Sequence, residues 1–475
     1  MSGLFGTLNN ATKGLNVQQS ALQTTSHNIS NANTVGYSRQ KVTMVADNPY
    51  TLGGIGQLGT GVRISSIDRI VDPYVNKQLR NENSSLEMYS KKSEVLGQLE
   101  GIFNEPSTTG LNNNLSQVFS SWTYLGSNPE LATAKTMVAQ NSETFTDTLH
   151  HMSNQIDSLH EGTVQDVEKN VLDFNAKVEQ LDSLNKQIFN MTSQGQAPND
   201  LLDQQDKILS ELTGIAGVES TYDKFNRVSI TVGGESVLTE DSISKMSVSS
   251  DLDKVGQLVV DGKDIEITSG NIKGSQEALT EIDTKKQELN ELAFTFATAV
   301  NAVHSNGGEG TNFFELGTDG NYAASIQVNK EILNDVSKIN AGKNIESVVG
   351  GDGTRAQAIA ALQNTKLVYP VDPTGIEYDS DTMTIKNQVG GSTVSGAYND
   401  SVTQMGIVKQ QSDNMVDSQE SLVSLLEARR DSVSGVSINE EVTNTIAYQS
   451  AFEANSRIIS VVSEMLDTLI NRTGV

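Results

Sequence analysis

The C-terminal stretch constrains this chain more than any other. From Ile438 to Ile470 apolar residues recur at alternating spacings of three and four, as Ile438, Val442, Phe452, Ile459, Leu466 and Ile470, with Thr445, Gln449, Ser456 and Ser463 in the remaining slots. This is a helical period close to a heptad. A second series, Ala447, Ala451, Ala454, Ile458, Val461 and Met465, lies beside the first, leaving a narrow polar face of Glu453, Arg457, Ser460, Glu464, Asp467 and Asn471. An apolar face that wide needs partners on more than one side. The nearest comparable series is at the opposite end of the chain, where Leu4, Leu8, Ala11, Leu15, Leu22 and Ile29 repeat the same spacing. The two ends read as one unit with everything else inserted between them.

The N-terminal helix, expected to run to about Ser30, has an unusual polar face. Residues 1–38 carry one formal charge, Lys13, and the polar positions are Asn9, Asn16, Gln19, Gln23 and His27. Uncharged amides can be buried at lower desolvation cost than ions, which suits a helix enclosed on all sides in an assembly. The helix leaves through Asn28-Ile29-Ser30-Asn31-Ala32-Asn33-Thr34-Val35-Gly36-Tyr37, where Asn and Gly tolerate left-handed backbone and Asn and Thr bond local backbone groups.

Between the ends the period changes several times. Val42, Met44 and Ala46 alternate, Val62, Ile64 and Ile67 do so more loosely, and a glycine-rich loop over 53–61 joins them, which predicts a β-hairpin-like connector. From Asp72 to Leu212 the pattern is helical, with Val75, Leu79, Leu86, Leu96, Leu99 and Phe103 in one long helix, a break at Pro106 and Gly110, and Pro129 placed to open the next helix. Period two takes over from about 215 to 272, through Val228, Ile230 and Val232, Met246 and Val248, Leu258 and Val260, with turns at Gly233-Gly234 and Asp261-Gly262. Helices return at 276–303 and 401–432, around a mixed stretch. The resulting division is 1–33 and 436–475 as terminal coiled-coil-like assembly helices, 34–70 as connector, 71–213 with 275–304 and 398–435 as helical middle domain, 214–274 as β domain, and 305–397 as a mixed region.

Composition removes whole classes of function. A formal charge of -26 disfavours nucleic acid or an anionic membrane as partner, because phosphate contacts need a surplus of Lys and Arg. The absence of cysteine excludes disulfides and thiol chemistry. No run of eighteen apolar residues occurs and the N-terminus lacks the pattern of a cleavable signal. The strongest enzyme-like feature is His150, His151 and His160 with Glu161, but a zincin needs His-Glu-x-x-His on one helical face and Val164 follows Gly162-Thr163. Asp200, Asp203 and Asp206 share a helix face and suggest a cation, although acidic residues near a helix N-terminus also complement its dipole. Gly350-Gly351-Asp352-Gly353 reads as a turn, since Arg355 occupies the position where a calcium nonapeptide repeat needs Asp. Neither a catalytic site nor a cofactor or metal site is expected. The single Trp122 is expected to be a packing residue.

One resemblance draws these parts together. Ser20-Ala21-Leu22-Gln23 and Ser26 through Gln40, including Asn28, Asn31, Asn33, Thr34, Gly36, Tyr37 and Arg39, resemble the N-terminal signature of the flagellar rod, hook and hook-associated axial proteins. Ser38-Arg39-Gln40, the stretch Pro198 to Asp206, and the C-terminal segments Ser434 to Glu441, Ala447 to Asn455 and Met465 to Asn471 resemble the hook-filament junction members of that family. The resemblance implies a mainly α, elongated multidomain axial protein with paired terminal helices, a helical-bundle middle and an inserted small antiparallel β domain. It implies a structural part at the junction, exported by the flagellar type III route, in contact with the hook protein, a second junction protein, the filament and further copies of itself in a ring, and with an export chaperone on the C-terminal helix. The terminal helices of a free subunit are expected to be poorly ordered. A rod or hook component shares the terminal motifs and is the nearest alternative. A type III secreted translocator would need a strongly apolar hairpin, and a metallopeptidase carried on a flagellar scaffold would need the histidines.

Overall fold

The computed structural model describes residues 2–52, 54, 56–249, 256–345 and 350–472, and the side chains within these ranges except those of Ser2, Leu52, Thr374 and Arg472. Parts of the expected β domain (250–255), mixed region (346–349) and C-terminal helix (473–475) therefore lie outside the described residues. The chain is 64% helical, with small antiparallel sheets in an elongated multidomain arrangement.

The chain opens with α1 (Ser2–Ser30) and continues through β1 (Gln40–Ala46), β2 (Tyr50–Leu52), β3 (Gly56–Leu58) and β4 (Val62–Arg69). β1 pairs antiparallel with β4, and β2 with β3 at the tip. A bulge between Thr43 and Met44 shifts the register, so the loose alternation of Val62, Ile64 and Ile67 has a structural cause. Four helices follow: α2 (Pro73–Phe103), α3 (Leu111–Ser127), α4 (Ala132–Thr192) and α5 (Asn199–Ala216). Asp72 caps α2, accepting from the backbone N–H of Tyr74 and Val75, with Pro73 at the first helical position. Pro129 does not open the next helix: the Leu131 N–H donates to the Asn128 carbonyl at 3.1 Å, closing a turn in which Pro129 takes the position proline favours, and α4 begins at Ala132.

Helix α4 serves two cores. Its first half places Phe145, Leu149, Met152 and Ile156 among side chains of α2, α3 and the later helices, and its second half places Val167, Val171, Phe174, Val178 and Leu181 against the β domain and α5. The β domain consists of two three-stranded sheets, β5 (Glu219–Tyr222), β6 (Val228–Val232) and β7 (Glu235–Leu238), and β8 (Met246–Val248), β9 (Leu258–Val260) and β10 (Lys263–Ile265). Asp261 and Gly262 take φ of 50° and 77°, the turn geometry that matches the strand twist of a two-residue hairpin.

α6 (Asn271–His304) returns through the middle of the body. The mixed region adds β11 (Phe314–Glu315), α7 (Tyr322–Ser325), β12 (Gln327–Val328), α8 (Lys330–Asn334), α9 (Thr354–Ala361), β13 (Tyr378–Asp379) and β14 (Thr384–Ile385), with β11 paired to β12 and β13 to β14. Trp122 is buried edge-on to Phe313 and His304, at ring separations of 5.1 and 6.3 Å. α10 (Val394–Ser434) then runs back along α2, where Val423 and Leu426 meet Leu79 and Leu86. Finally α11 (Ile438–Asp467) packs along α1.

Candidate functional site at the base of the terminal helices

The two ends of the chain form an antiparallel helical pair. Asn28 meets Glu441 and Gly14 meets Asn455, so steps of equal length along the two helices run in opposite directions. On α1 the innermost residues are Ala11, Gly14, Val17, Ala21, Thr25 and Asn28, spaced by three and four. Leu4, Leu8, Leu15, Leu22 and Ile29 are half-buried and flank this row. Small residues at the seam let the backbones close: a Cβ on Gly14 would stand 2.8 Å from Asn455 Oδ1. On α11 Phe452, Ile459 and Leu466 are half-buried and Val462 is buried. Ile438, Val442, Ile458, Val461, Met465 and Ile470 are exposed, as is Ile446, whose exposure reaches 60%. The wide apolar face is therefore only partly covered by α1.

Below the pair, residues 28–40 fold into a polar joint. Asn31 bonds back to the His27 carbonyl at 3.0 Å and receives the Thr34 hydroxyl at 3.2 Å, while Gly36, with φ of 83°, turns the chain in a region L side chains avoid. Asn33 is exposed. Asn28, only 1% exposed, is saturated. Its Nδ2 donates to the Gln40 carbonyl (2.9 Å) and Glu441 Oε2 (3.1 Å), and its Oδ1 accepts from the Gln40 N–H (3.0 Å) and the Tyr37 hydroxyl (2.7 Å). All four valences of one amide thus bind the helix exit, β1 and α11 together. Arg39 clamps the same corner, donating from Nε to Glu441 Oε1 at 2.8 Å and from Nη1 to Glu440 Oε2 at 3.0 Å. Its backbone N–H donates to the Ser434 carbonyl, and its own carbonyl accepts from Ile70. Burial of Glu441 leaves its charge dependent on Arg39 and Asn28.

The three aspartates complete the joint from the body side. Asp203 accepts the Ser38 N–H at 3.1 Å and an Arg69 guanidinium N–H at 2.7 Å, and Asp206 accepts from Arg69 at 3.0 Å with Arg80 3.8 Å away. Asp200 takes the Gln40 amide at 2.7 Å. Burial pushes the Asp203 carboxyl up, opposed by its bonds to Arg69 and Ser38. Burial also pushes the Tyr37 hydroxyl well above the usual phenol range, helped by the negative Asp200, Asp203 and Glu441, so it is a hydrogen-bond donor. Asp203 and Asp206 thus face arginines, Asp203 a backbone N–H as well, and Asp200 the Gln40 side-chain amide. Spacing alone could not reveal Arg69 as their partner, because it lies far away in sequence at the end of β4.

The histidines are dispersed. His150 Nε2 lies 2.6 Å from the Ile326 carbonyl, His160 lies 3.4 Å from Asp283, and His151 is exposed. Among the described residues no group of three His, Cys, Asp or Glu side chains is disposed to hold a metal ion, and no helix is long and apolar enough to cross a membrane. Asp352 is tied to the Lys343 and Thr354 N–H groups, and Arg355 is buried against backbone carbonyls of Val303, Gly342 and Lys343.

Comparison with known proteins matches these parts in order. Residues 8–37 match the flagella basal body rod protein family, 96–314 the helical domain of flagellar hook-associated protein FlgK, and 427–472 the C-terminal family of flagellar basal body rod FlgEFG proteins. The joint lies where the three matched segments meet, since Asn28, Asp203 and Glu441 each belong to a different one. Flagellar hook-associated protein 1 of Bacillus subtilis is 29% identical, the alignment covering 100% of this chain and 99% of that protein. The Salmonella typhimurium protein of the same name is 25% identical, over 98% and 99%. The structure of the flagellar hook junction protein FlgK from Burkholderia pseudomallei shares the fold, with a TM-score of 0.62 at 15% identity over 75% of this chain and 100% of that one. With rod-type motifs at both ends, a hook-associated helical domain between them, and full-length similarity to proteins of that name, the chain is similar from end to end to the flagellar hook-associated axial proteins.

Proposed function

We propose that this chain is the structural adaptor between hook and filament, exported through the flagellar type III route and assembled as a ring of copies. The observation that carries this reading is the exposed apolar row Ile438, Val442, Ile446, Ile458, Val461, Met465 and Ile470, left open after α1 has covered its share of α11. Monomeric soluble proteins rarely expose so many large apolar side chains on one helix, and their burial against neighbouring copies supplies the driving force for assembly. Leu4, Leu8, Ala11, Leu15, Leu22, Phe452, Ile459 and Leu466 belong to the same interface, some closing the pair and others bordering the strip. Asn28, Asn31, Asn33, Thr34, Gly36, Tyr37 and Arg39 set the angle at which the pair leaves the body. The hook protein lies on one side of the ring, and the second junction protein and filament on the other. An export chaperone covers the C-terminal helix until secretion, which keeps the strip from aggregating. The role requires no catalysis, cofactor, nucleic acid or membrane.

The test is electron microscopy of cells lacking the gene, with flagellin assayed in the medium. Bare hooks with flagellin shed to the medium are expected. Absent hooks would move the protein inward to the rod or hook, and normal flagella would overturn an axial role.

A further inference from the structure

Far from the terminal pair, the body contains a cavity of about 300 Å³ between α2, α6 and α10. Phe103 and Tyr398 stack in its wall with ring centroids 6.1 Å apart, and Tyr369 and Leu292 add further apolar surface. The hydroxyl of the half-buried Tyr369 has no hydrogen-bond partner among the described residues, so it is free to bond a polar group in the cavity. The rim is acidic. Of its carboxylates, Glu288 is neutralised by the buried Lys285 at 2.8 Å, whereas Glu291 and Asp400 have no cationic partner among the described residues. Apolar walls, an unpartnered hydroxyl and two carboxylates without a cationic partner together select for an apolar body that carries positive charge.

We propose that this cavity binds a small organic cation, an ammonium group attached to an aryl or short alkyl body. The ammonium lies toward Glu291 and Asp400, the apolar part rests against Phe103, Tyr398 and Leu292, and the Tyr369 hydroxyl bonds a polar group on the ligand or a water carried in with it. The site is independent of the assembly surface, so occupancy requires neither the ring nor the terminal helices.

The probe is benzyltrimethylammonium, titrated into the full chain by saturation-transfer difference NMR and calorimetry, with benzyl alcohol and benzoate as size-matched neutral and anionic comparators. Saturable binding is expected for the cation alone. The double variant E291Q/D400N, which alters only the rim, should weaken it about tenfold, the combined effect of two partly solvated ion pairs. A397W, which fills the cavity, should abolish it. Equal binding of the three probes, binding unaffected by E291Q/D400N, or no saturable binding of the cation would each overturn the proposal. Because the double variant changes only rim carboxylates, its result stands even if A397W fails to fold.

Discussion

His304 gives the body a pH-dependent stability whose size can be worked out from its surroundings. The ring is fully buried at the end of α6. Nδ1 lies 2.8 Å from the Thr311 carbonyl, and Nε2 accepts the Asn340 N–H at 3.0 Å. Only the neutral ring protonated at Nδ1 satisfies both bonds, because a proton on Nε2 would face another N–H. Burial lowers the His304 pKa to about 4, the Thr311 carbonyl opposes that shift, and the nearby charges of Arg355 and Lys135 reinforce it. The ordinary histidine value is 6.5. The folded pKa lies below the unfolded one, so the unfolded chain binds the extra proton between them and stability rises with pH across that interval. The contribution is complete above 6.5 and is lost as the pH falls toward 4. At ~1.4 kcal/mol per unit the full loss is about 3 kcal/mol, a large share of the ~5–15 kcal/mol typical of a domain. Trp122 is the chain's single tryptophan and packs edge-on to His304, so urea unfolding followed by its fluorescence reports this core directly. Between pH 7.5 and 4.5 the wild type should lose about 2–3 kcal/mol more than His304→Gln, which cannot titrate. Equal slopes for the two proteins, or an NMR titration placing His304 near 6.5, would refute the reasoning.

Three further outcomes concern the joint and the exposed strip. Asn28→Leu leaves the Gln40 N–H and carbonyl and part of Glu441 without partners and should weaken the joint by about 2–4 kcal/mol; cells complemented with it should shed flagellin, whereas Asn31→Ala, which loses only local bonds, should shed far less. Ile446→Asp and Val461→Asp lie on exposed positions, so the melting of the free chain should change by less than about 0.5 kcal/mol; the same cells should nevertheless fail to retain filaments, and normal retention would remove these residues from the interface. Limited proteolysis of the monomer should cut first within 1–30 and 440–475, because so little of α11 is buried; terminal segments that survive as long as the body would contradict this and show that α1 alone stabilises its partner.

The sequence suffices wherever a single short-range period decides the structure. The helical series of 438–470, the polar but uncharged face of 1–30, the period-two stretch of 215–272 and the turn residues Asp261 and Gly262 are local signals, because side-chain direction follows from backbone repeat. The terminal motif was likewise readable, since Asn28, Gly36 and Arg39 stand in a recognisable order. The remaining features depend on pairs distant in sequence. Spacing placed Asp200, Asp203 and Asp206 on one face but could not supply Arg69 and Arg80, which turn a candidate cation site into a joint. It marked the leucines of α1 as the apolar face, yet the seam runs through Ala11, Gly14, Val17 and Ala21, because two helix backbones approach closest where side chains are smallest. It also made α11 apolar on two sides without saying which side α1 would cover. That choice is made by Asn28, Arg39 and Glu441 at the base of the pair, where the cost of burying a charge without partners permits only one register.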